Sequence, residues 1–309
     1  MLEDTMLVLP SFSPSTADNG SIGDHVVIDG VSIGLDEIVN SAIFTPQTVK
    51  NLNKAFLAAK PFPYLVLDGL INPRLLELML VDFERLNWND WRRHDNVNEF
   101  KRGSAPNTRF GNASQLYFDT VYSGRFVEFM ENVTGIEGLI TDPALYSGGL
   151  HDIPTGGKFA AHIDFNQHRV TRLDNRLVFI TYLNKNWRPE YGGELELWDM
   201  DKDEPSVRVI PEFGRSVVFL QSSKSLHGHP TPVNAPDGRH RRSAATYFYS
   251  NVGTAKAGEA YHPTQFGKTV SLVQKQEKLK NTLKYFTPPV LIDVVRKLAS
   301  ARHPSKTNR

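Results

Sequence analysis

Cysteine is absent from the 309-residue chain. Thiolate catalysis, zinc ribbons and iron–sulfur clusters are excluded with it, so any metal must be held by His, Asp or Glu. A charge bias is missing too: 35 Lys and Arg stand against 34 Asp and Glu, which argues against nucleic-acid binding over the whole surface. No stretch approaches the roughly 20 apolar residues of a membrane span. Glu3 and Asp4 occupy the place where a secretory leader would carry basic residues. The expectation is a cytoplasmic globular protein with enough chain for one large domain or two small ones.

Residues 1–44 are rich in Ser, Gly, Asp and Asn with only brief apolar clusters such as Val26-Val27-Ile28, and read as an irregular arm. Thr45-Pro46 and Asn72-Pro73 are helix-start pairs. After the first, Val49, Leu52, Phe56 and Leu57 repeat at helical spacing; after the second, Leu75, Leu76, Met79, Phe83 and Leu86 form one stripe, as on a helix lying against a sheet. Ser123 to Val133 repeats the device and Gly135 stops it. Residues 45–142 therefore read as a helical buttress with a strand at Tyr64–Leu67.

From 143 to 250 the pattern changes to short alternating segments separated by turns: 158–163, 176–183, 194–198, 207–210, 216–220 and 242–249. Short strands after a run of helices predict an α+β, mainly β domain, a β-sandwich or jelly roll with helices packed on one outer face. Gly192-Gly193 fits a bend that aims the next strand. The tail, 251–309, carries 11 Lys and Arg from 256 onward against Glu259, Glu277 and Asp293. It reads as two surface helices, 270–285 and 289–300, whose excess charge could dock an anionic surface.

The chemistry concentrates in Phe159-Ala160-Ala161-His162-Ile163-Asp164-Phe165. In a strand, residues two apart share a face, so His162 and Asp164 aim a nitrogen and a carboxylate at one point. Ser225-Leu226-His227-Gly228-His229 offers two candidates for a third ligand, His227 and His229. Two His and one carboxylate on one face of an ion leave three positions open, the arrangement of non-haem Fe(II) oxygenases. Fourteen residues after His227, Arg241-Arg242-Ser243 leads into the strand Ala244 to Tyr249. A guanidinium fork at a barrel mouth with a hydroxyl two residues on suits a bidentate grip on a carboxylate.

At these residues the sequence resembles the Fe(II)- and 2-oxoglutarate-dependent dioxygenases, in particular the bacterial type of the prolyl 4-hydroxylase-like branch. The matches come in order: His162-Ile163-Asp164-Phe165-Asn166, Tyr182-Leu183-Asn184 with Trp187, Gly192-Gly193-Glu194-Leu195-Glu196-Leu197-Trp198, Ser225-Leu226-His227-Gly228, and Arg241-Arg242-Ser243 with its aromatic strand. Segments upstream, Pro63 to Asp68 and Phe129 to Ile136, look like parts of the same group.

The resemblance implies a double-stranded β-helix (jelly-roll) core and His162, Asp164 and His227 as iron ligands. It implies Arg241 as partner of the 2-oxoglutarate C5 carboxylate, assisted by Ser243 and Tyr182, with Tyr146 matched to a pocket tyrosine. His151 and His229 are candidate substrate contacts, and His229 is the alternative ligand. Trp187, Trp198 and Tyr247 read as core. Fe(II), 2-oxoglutarate, O2 and ascorbate are the implied cofactors. The implied substrate is a prolyl residue of a protein or peptide, or a free amino acid or other small metabolite. The presence of Asp164 points to hydroxylation, since related halogenases lack that carboxylate. Two other readings of the same residues stand beside this one: a cupin-like metal-dependent isomerase or hydrolase, and a non-catalytic metal-binding scaffold.

Overall fold

A computed structural model describes residues 5–12, 24–236, 238–251 and 260–267. The chain divides into two compact units, Met1–Gln265 and Phe266–Arg309, and the fold that follows is that of the first. The tail helices expected at 270–285 and 289–300 lie outside the described residues.

The chain enters through β1 (Met6–Val8) and a hairpin, β2 (His25–Ile28) with β3 (Val31–Gly34). Helix α1 (Pro46–Ala58) starts where Thr45 Oγ1 accepts the Thr48 N–H, and α2 (Pro73–Arg85), after β4 (Tyr64–Asp68), starts where the Asn72 side chain accepts the Arg74 N–H. Two strands not expected from the sequence follow, β5 (Trp91–Asp95) and β6 (Glu99–Ser104). Helix α3 (Asn112–Val121) was likewise not expected; α4 (Gly124–Thr134) is capped by Ser123 and ends on Gly135 at φ +72°. The remaining strands are β7 (Ile140–Thr141), β8 (Gly149–Ile153), β9 (Lys158–Ile163), β10 (Asp174–Tyr182), β11 (Leu195–Trp198), β12 (Pro205–Val209), β13 (Arg215–Leu220), β14 (Leu226–His229) and β15 (Arg241–Ser250).

Apart from the β2–β3 hairpin, which is a sheet of its own, the strands form one curled, mixed sheet in the order β1-β4-β13-β10-β15-β8-β6-β9-β14-β11-β12, with β5 paired to β6 and β7 to β15 off this path. This is the mainly β, half-barrel form of a jelly roll, with four helices among the described residues. Alternation along the strands sorts side chains between two cores. Leu65 and Leu67 of β4, Leu177 and Phe179 of β10 and Phe248 of β15 pack with Phe56, Met79 and Phe126 from the helices. Their neighbours Tyr64, Val66, Val178 and Tyr182 face the interior, against Leu195 and Leu197 of β11 and Phe219 of β13. The interior is thus lined by every second residue of β10, β13 and β15, and chemistry placed there is walled from solvent.

Parts of the segment expected as an irregular arm are ordered. Strand β1 pairs in parallel with β4, and Leu9, Ile28, Ile33, Ile38 and Val39 are buried in the helix-side core. Single apolar residues in a Ser- and Gly-rich stretch carry no periodicity, yet each contributes about 1.5–3 kcal/mol when buried. Five such side chains rival a typical net stability of about 5–15 kcal/mol. Deleting residues 1–40 should therefore yield an insoluble or strongly destabilised protein, read as loss of the cooperative thermal transition. An unchanged transition would show that the arm is dispensable.

Candidate metal centre and co-substrate pocket

His162 lies near the end of β9 and Asp164 just beyond it; His227 lies on β14, directly opposite His162 in the antiparallel register. One ligating atom from each lies within 4.8 Å of the others, and all three residues are buried. Each imidazole has its Nδ1 on a main-chain carbonyl, His162 on Ala160 O and His227 on Ser225 O, both at 2.8 Å. A carbonyl only accepts, so Nδ1 carries the proton and Nε2 turns its lone pair toward Asp164. The two Nε2 atoms stand 3.4 and 3.6 Å from the Asp164 carboxylate oxygens. Burial, then the neighbouring His162, pushes the His227 pKa down to about 4, which keeps this ring neutral. Two imidazole nitrogens and a carboxylate converging on one point are a donor set for a divalent metal.

The ligands are held from outside. Phe159 stacks 3.8 Å from the His162 ring and Phe219 lies 4.6 Å from that of His227. Tyr247 donates from its hydroxyl to Asp164 Oδ2 at 3.2 Å, and Gln221 donates to the Asp164 carbonyl at 3.2 Å.

His229 does not join the cluster. Between His227 and His229 the ladder slips, so that His229 faces Phe159 rather than Ala160. A Cβ at Gly228 would sit 2.8 Å from the Phe159 carbonyl, so this bulge needs glycine. His229 is 4% exposed, and neither ring nitrogen has a hydrogen-bond partner among the described residues.

Deeper in the barrel, Arg241 opens β15 and faces inward, 4% exposed. Its Nε donates to Gly193 O at 2.6 Å and its guanidinium lies 5.0 Å from the centre of the Tyr182 ring, with Nη2 3.4 Å from the Tyr182 hydroxyl. Gly193 sits at φ +70°, and a Cβ there would stand 2.9 Å from Arg241 Cδ; the glycine pair thus makes room for the arginine as well as bending the chain. Ser243, two residues on, lies opposite Tyr182. Among the described residues no carboxylate pairs with Arg241. Arg242 points the other way, to Glu84 at 2.7 Å and Asp152 at 3.2 Å.

His151 faces inward from β8, opposite Ser243 on one side and Gly103 on the other. A Cβ on Gly103 would lie 3.2 Å from the His151 ring. Burial, then the charges of Lys101 and Arg241, pushes the His151 pKa down to about 3. Tyr146, by contrast, meets the His168 ring at 5.5 Å and the Arg92 guanidinium at 6.0 Å. Trp187 is buried and donates to Gly192 O, in keeping with its reading as core.

Two site residues escaped the sequence reading. Tyr247, read as core, supports the Asp164 carboxylate; the alternation that sends Arg241 and Ser243 inward would have found it. Lys101 enters the cavity from β6, a strand without apolar alternation to announce it. Partners of metal ligands typically carry 10–100-fold in metal affinity. Tyr247→Phe should accordingly weaken Fe(II) binding by about 10-fold in an anaerobic titration while leaving the fold intact; unchanged affinity would reduce this tyrosine to packing.

Residues 148–249 match the family model described as the 2OG-Fe(II) oxygenase superfamily. No curated protein matches. Among solved structures, a Pseudomonas putida prolyl 4-hydroxylase is similar at 16% identity and TM-score 0.49, covering 65% of this chain and 99% of that one. A Trichoplax adhaerens prolyl hydroxylase, in complex with a hypoxia-inducible-factor peptide fragment, is similar at 14% identity and TM-score 0.47, covering 71% and 100%. HygX from Streptomyces hygroscopicus, with nickel, 2-oxoglutarate and hygromycin B bound, is similar at 12% identity and TM-score 0.42, covering 61% and 83%. The matched segment is the one that supplies the His162, Asp164 and His227 cluster and the inward Arg241, so the likeness to the 2OG-Fe(II) oxygenase superfamily falls on residues 148–249, the stretch that builds the site.

Proposed function

We propose that the chain is an Fe(II)- and 2-oxoglutarate-dependent dioxygenase that hydroxylates an unactivated C–H bond of a prolyl residue, a free amino acid or another small metabolite, with His162, Asp164 and His227 holding the iron. Arg241, with Tyr182 and Ser243, grips the C5 carboxylate of 2-oxoglutarate. Bound iron and 2-oxoglutarate supply the oxygen-insertion chemistry, in which succinate and CO2 leave and one oxygen atom enters the substrate.

The observation that carries this reading is a buried guanidinium, facing the same interior as the three ligands, with no carboxylate of its own. A charge taken out of water needs a counter-charge, and a planar fork suits a carboxylate. Each of the chain's residues has a task that its geometry supports. The Nδ1–carbonyl bonds orient the two imidazoles. Tyr247 fixes the Asp164 rotamer, and Gly193 O and Tyr182 aim Arg241. The aliphatic and aromatic walls of β10, β11 and β13 exclude water from the reacting centre. A cupin-like isomerase or hydrolase would give Arg241 no role.

Truncating one partner of a buried charge pair costs about 2–5 kcal/mol, roughly 30-fold to several thousand-fold in affinity at 1.4 kcal/mol per tenfold. Arg241→Ala should weaken 2-oxoglutarate binding by that factor, followed through the metal-to-ligand charge-transfer band of the anaerobic Fe(II) protein. Lys at 241 should restore only part, and Arg242→Ala should leave the affinity largely unchanged; equal binding by wild type and Arg241→Ala would remove the assignment.

Replacing His162, Asp164 or His227 by Ala should each abolish iron-dependent succinate formation, whereas His229→Ala should retain Fe(II) binding. Loss of the metal in His229→Ala with retention in His227→Ala would exchange their roles.

A further inference from the structure

Lys101 is the second cation of the cavity, and it comes from outside the matched segment 148–249. Strand β6 is inserted between β8 and β9. Its Arg102 turns outward to Asp152, so Lys101 and Gly103 face the interior by alternation. The Lys101 ammonium stands 3.3 Å from the centre of the Phe159 ring, the same ring that stacks 3.8 Å from His162. It is therefore one aromatic ring away from a metal ligand, with its side chain 14% exposed.

Glu99 holds Lys101 from one side, Oε2 to Nζ at 3.3 Å. The other oxygen of that carboxylate is engaged by His94 and Asn96, both at 3.4 Å. One contact of this length does not match what burial removes from an ammonium with three donors. Burial lowers the Lys101 pKa despite the opposing charge of Glu99. His229 presents a second unmet demand: it is 4% exposed, and among the described residues neither of its ring nitrogens has a hydrogen-bond partner. Buried polar atoms without partners are rare in native proteins and mark places where a ligand completes the set.

We propose that Lys101, with His229 near the same Phe159 ring, binds the carboxylate of the substrate, which is therefore a small organic acid such as a free amino acid rather than a prolyl residue within a peptide. This rests on the reading above, in which Arg241 takes the C5 carboxylate of 2-oxoglutarate and leaves Lys101 for a second anion. An internal peptide residue offers only neutral carbonyls, which accept a hydrogen bond but do not neutralise a buried charge.

The test uses the Fe(II)- and 2-oxoglutarate-loaded enzyme and matched probes: common L-amino acids and small carboxylic acids, their primary amides, and a proline-containing peptide. Succinate release and a gain of one oxygen by mass spectrometry are read for each. At least one acid should be turned over, with its amide and the peptide inert. Lys101→Met should raise KM for that acid by at least about 30-fold with 2-oxoglutarate affinity unchanged, and Lys101→Arg should retain part of the wild-type behaviour. Equal turnover of acid and amide, turnover of the peptide, or no acid raising succinate release above the uncoupled rate would each overturn the inference. So would a loss of 2-oxoglutarate affinity in Lys101→Met, which would give this lysine to the co-substrate. In all these cases an intact charge-transfer band in the wild type keeps the dioxygenase reading separate.

Discussion

The pairing of β9 with β14 sets His162 directly across from His227, and the rest of the site is arranged around that register. Antiparallel neighbours in register bring side chains within about 5 Å, close enough for two imidazoles and the carboxylate two residues on to share one ion. Moving either strand by one residue would turn its ligand to the opposite face. The register is protected on both sides: a bulge that only Gly228 permits shifts the pairing beyond His227, and the Phe159 and Phe219 rings close over the imidazoles. The carbonyls of Ala160 and Ser225, from the same two strand segments, then choose the tautomers. Geometry and protonation state thus come from one piece of backbone.

Charge is the second organising constraint. The interior contains a buried guanidinium, a mostly covered ammonium and a buried carboxylate, and among the described residues only the ammonium has a close partner of opposite sign that is not itself a proposed metal ligand. Groups placed this way are costly to an empty protein and favourable to a loaded one, because each anionic ligand that enters removes a desolvation penalty as well as adding a contact. Outside the barrel the same strands carry fully satisfied ion pairs: Asp152 collects Arg102, His240 and Arg242. One strand face therefore stabilises and the other binds, and the alternation of Arg241 with Arg242 and of His151 with Asp152 separates the two roles.

The elements that could be read from the sequence were those whose signals are local. Thr45-Pro46, Asn72-Pro73, Ser123 and Gly135 mark helix ends within a few residues of themselves, and the period-2 runs of β10, β13 and β15 announce half-buried strands. Helix α3 escaped because its cap is remote: Asp82 of α2 accepts the Ser114 N–H at 2.8 Å across a gap of 32 residues. Strands β5 and β6, Trp-Arg-Arg-His-Asp and Glu-Phe-Lys-Arg-Gly-Ser, escaped because both their faces are polar, one pairing with outer ions and one lining the cavity. The three metal-ligand candidates were legible since two of them, His162 and Asp164, lie two residues apart at the end of one strand. The choice between His227 and His229 depends on a bulge, and Lys101 on a strand insertion, neither of which a one-dimensional pattern carries.

The proposed site holds a metal on His162, Asp164 and His227 and a dicarboxylate on Arg241 within one barrel interior. It is tested most directly by a crystal structure of the anaerobic Fe(II) and 2-oxoglutarate complex with anomalous data at the iron edge. A single strong anomalous peak is expected within bonding distance of His162 Nε2, an Asp164 carboxylate oxygen and His227 Nε2, with the distal carboxylate of 2-oxoglutarate on Arg241 between Tyr182 and Ser243. A metal on His229, or that carboxylate on Lys101 with Arg241 left unpaired, would contradict it.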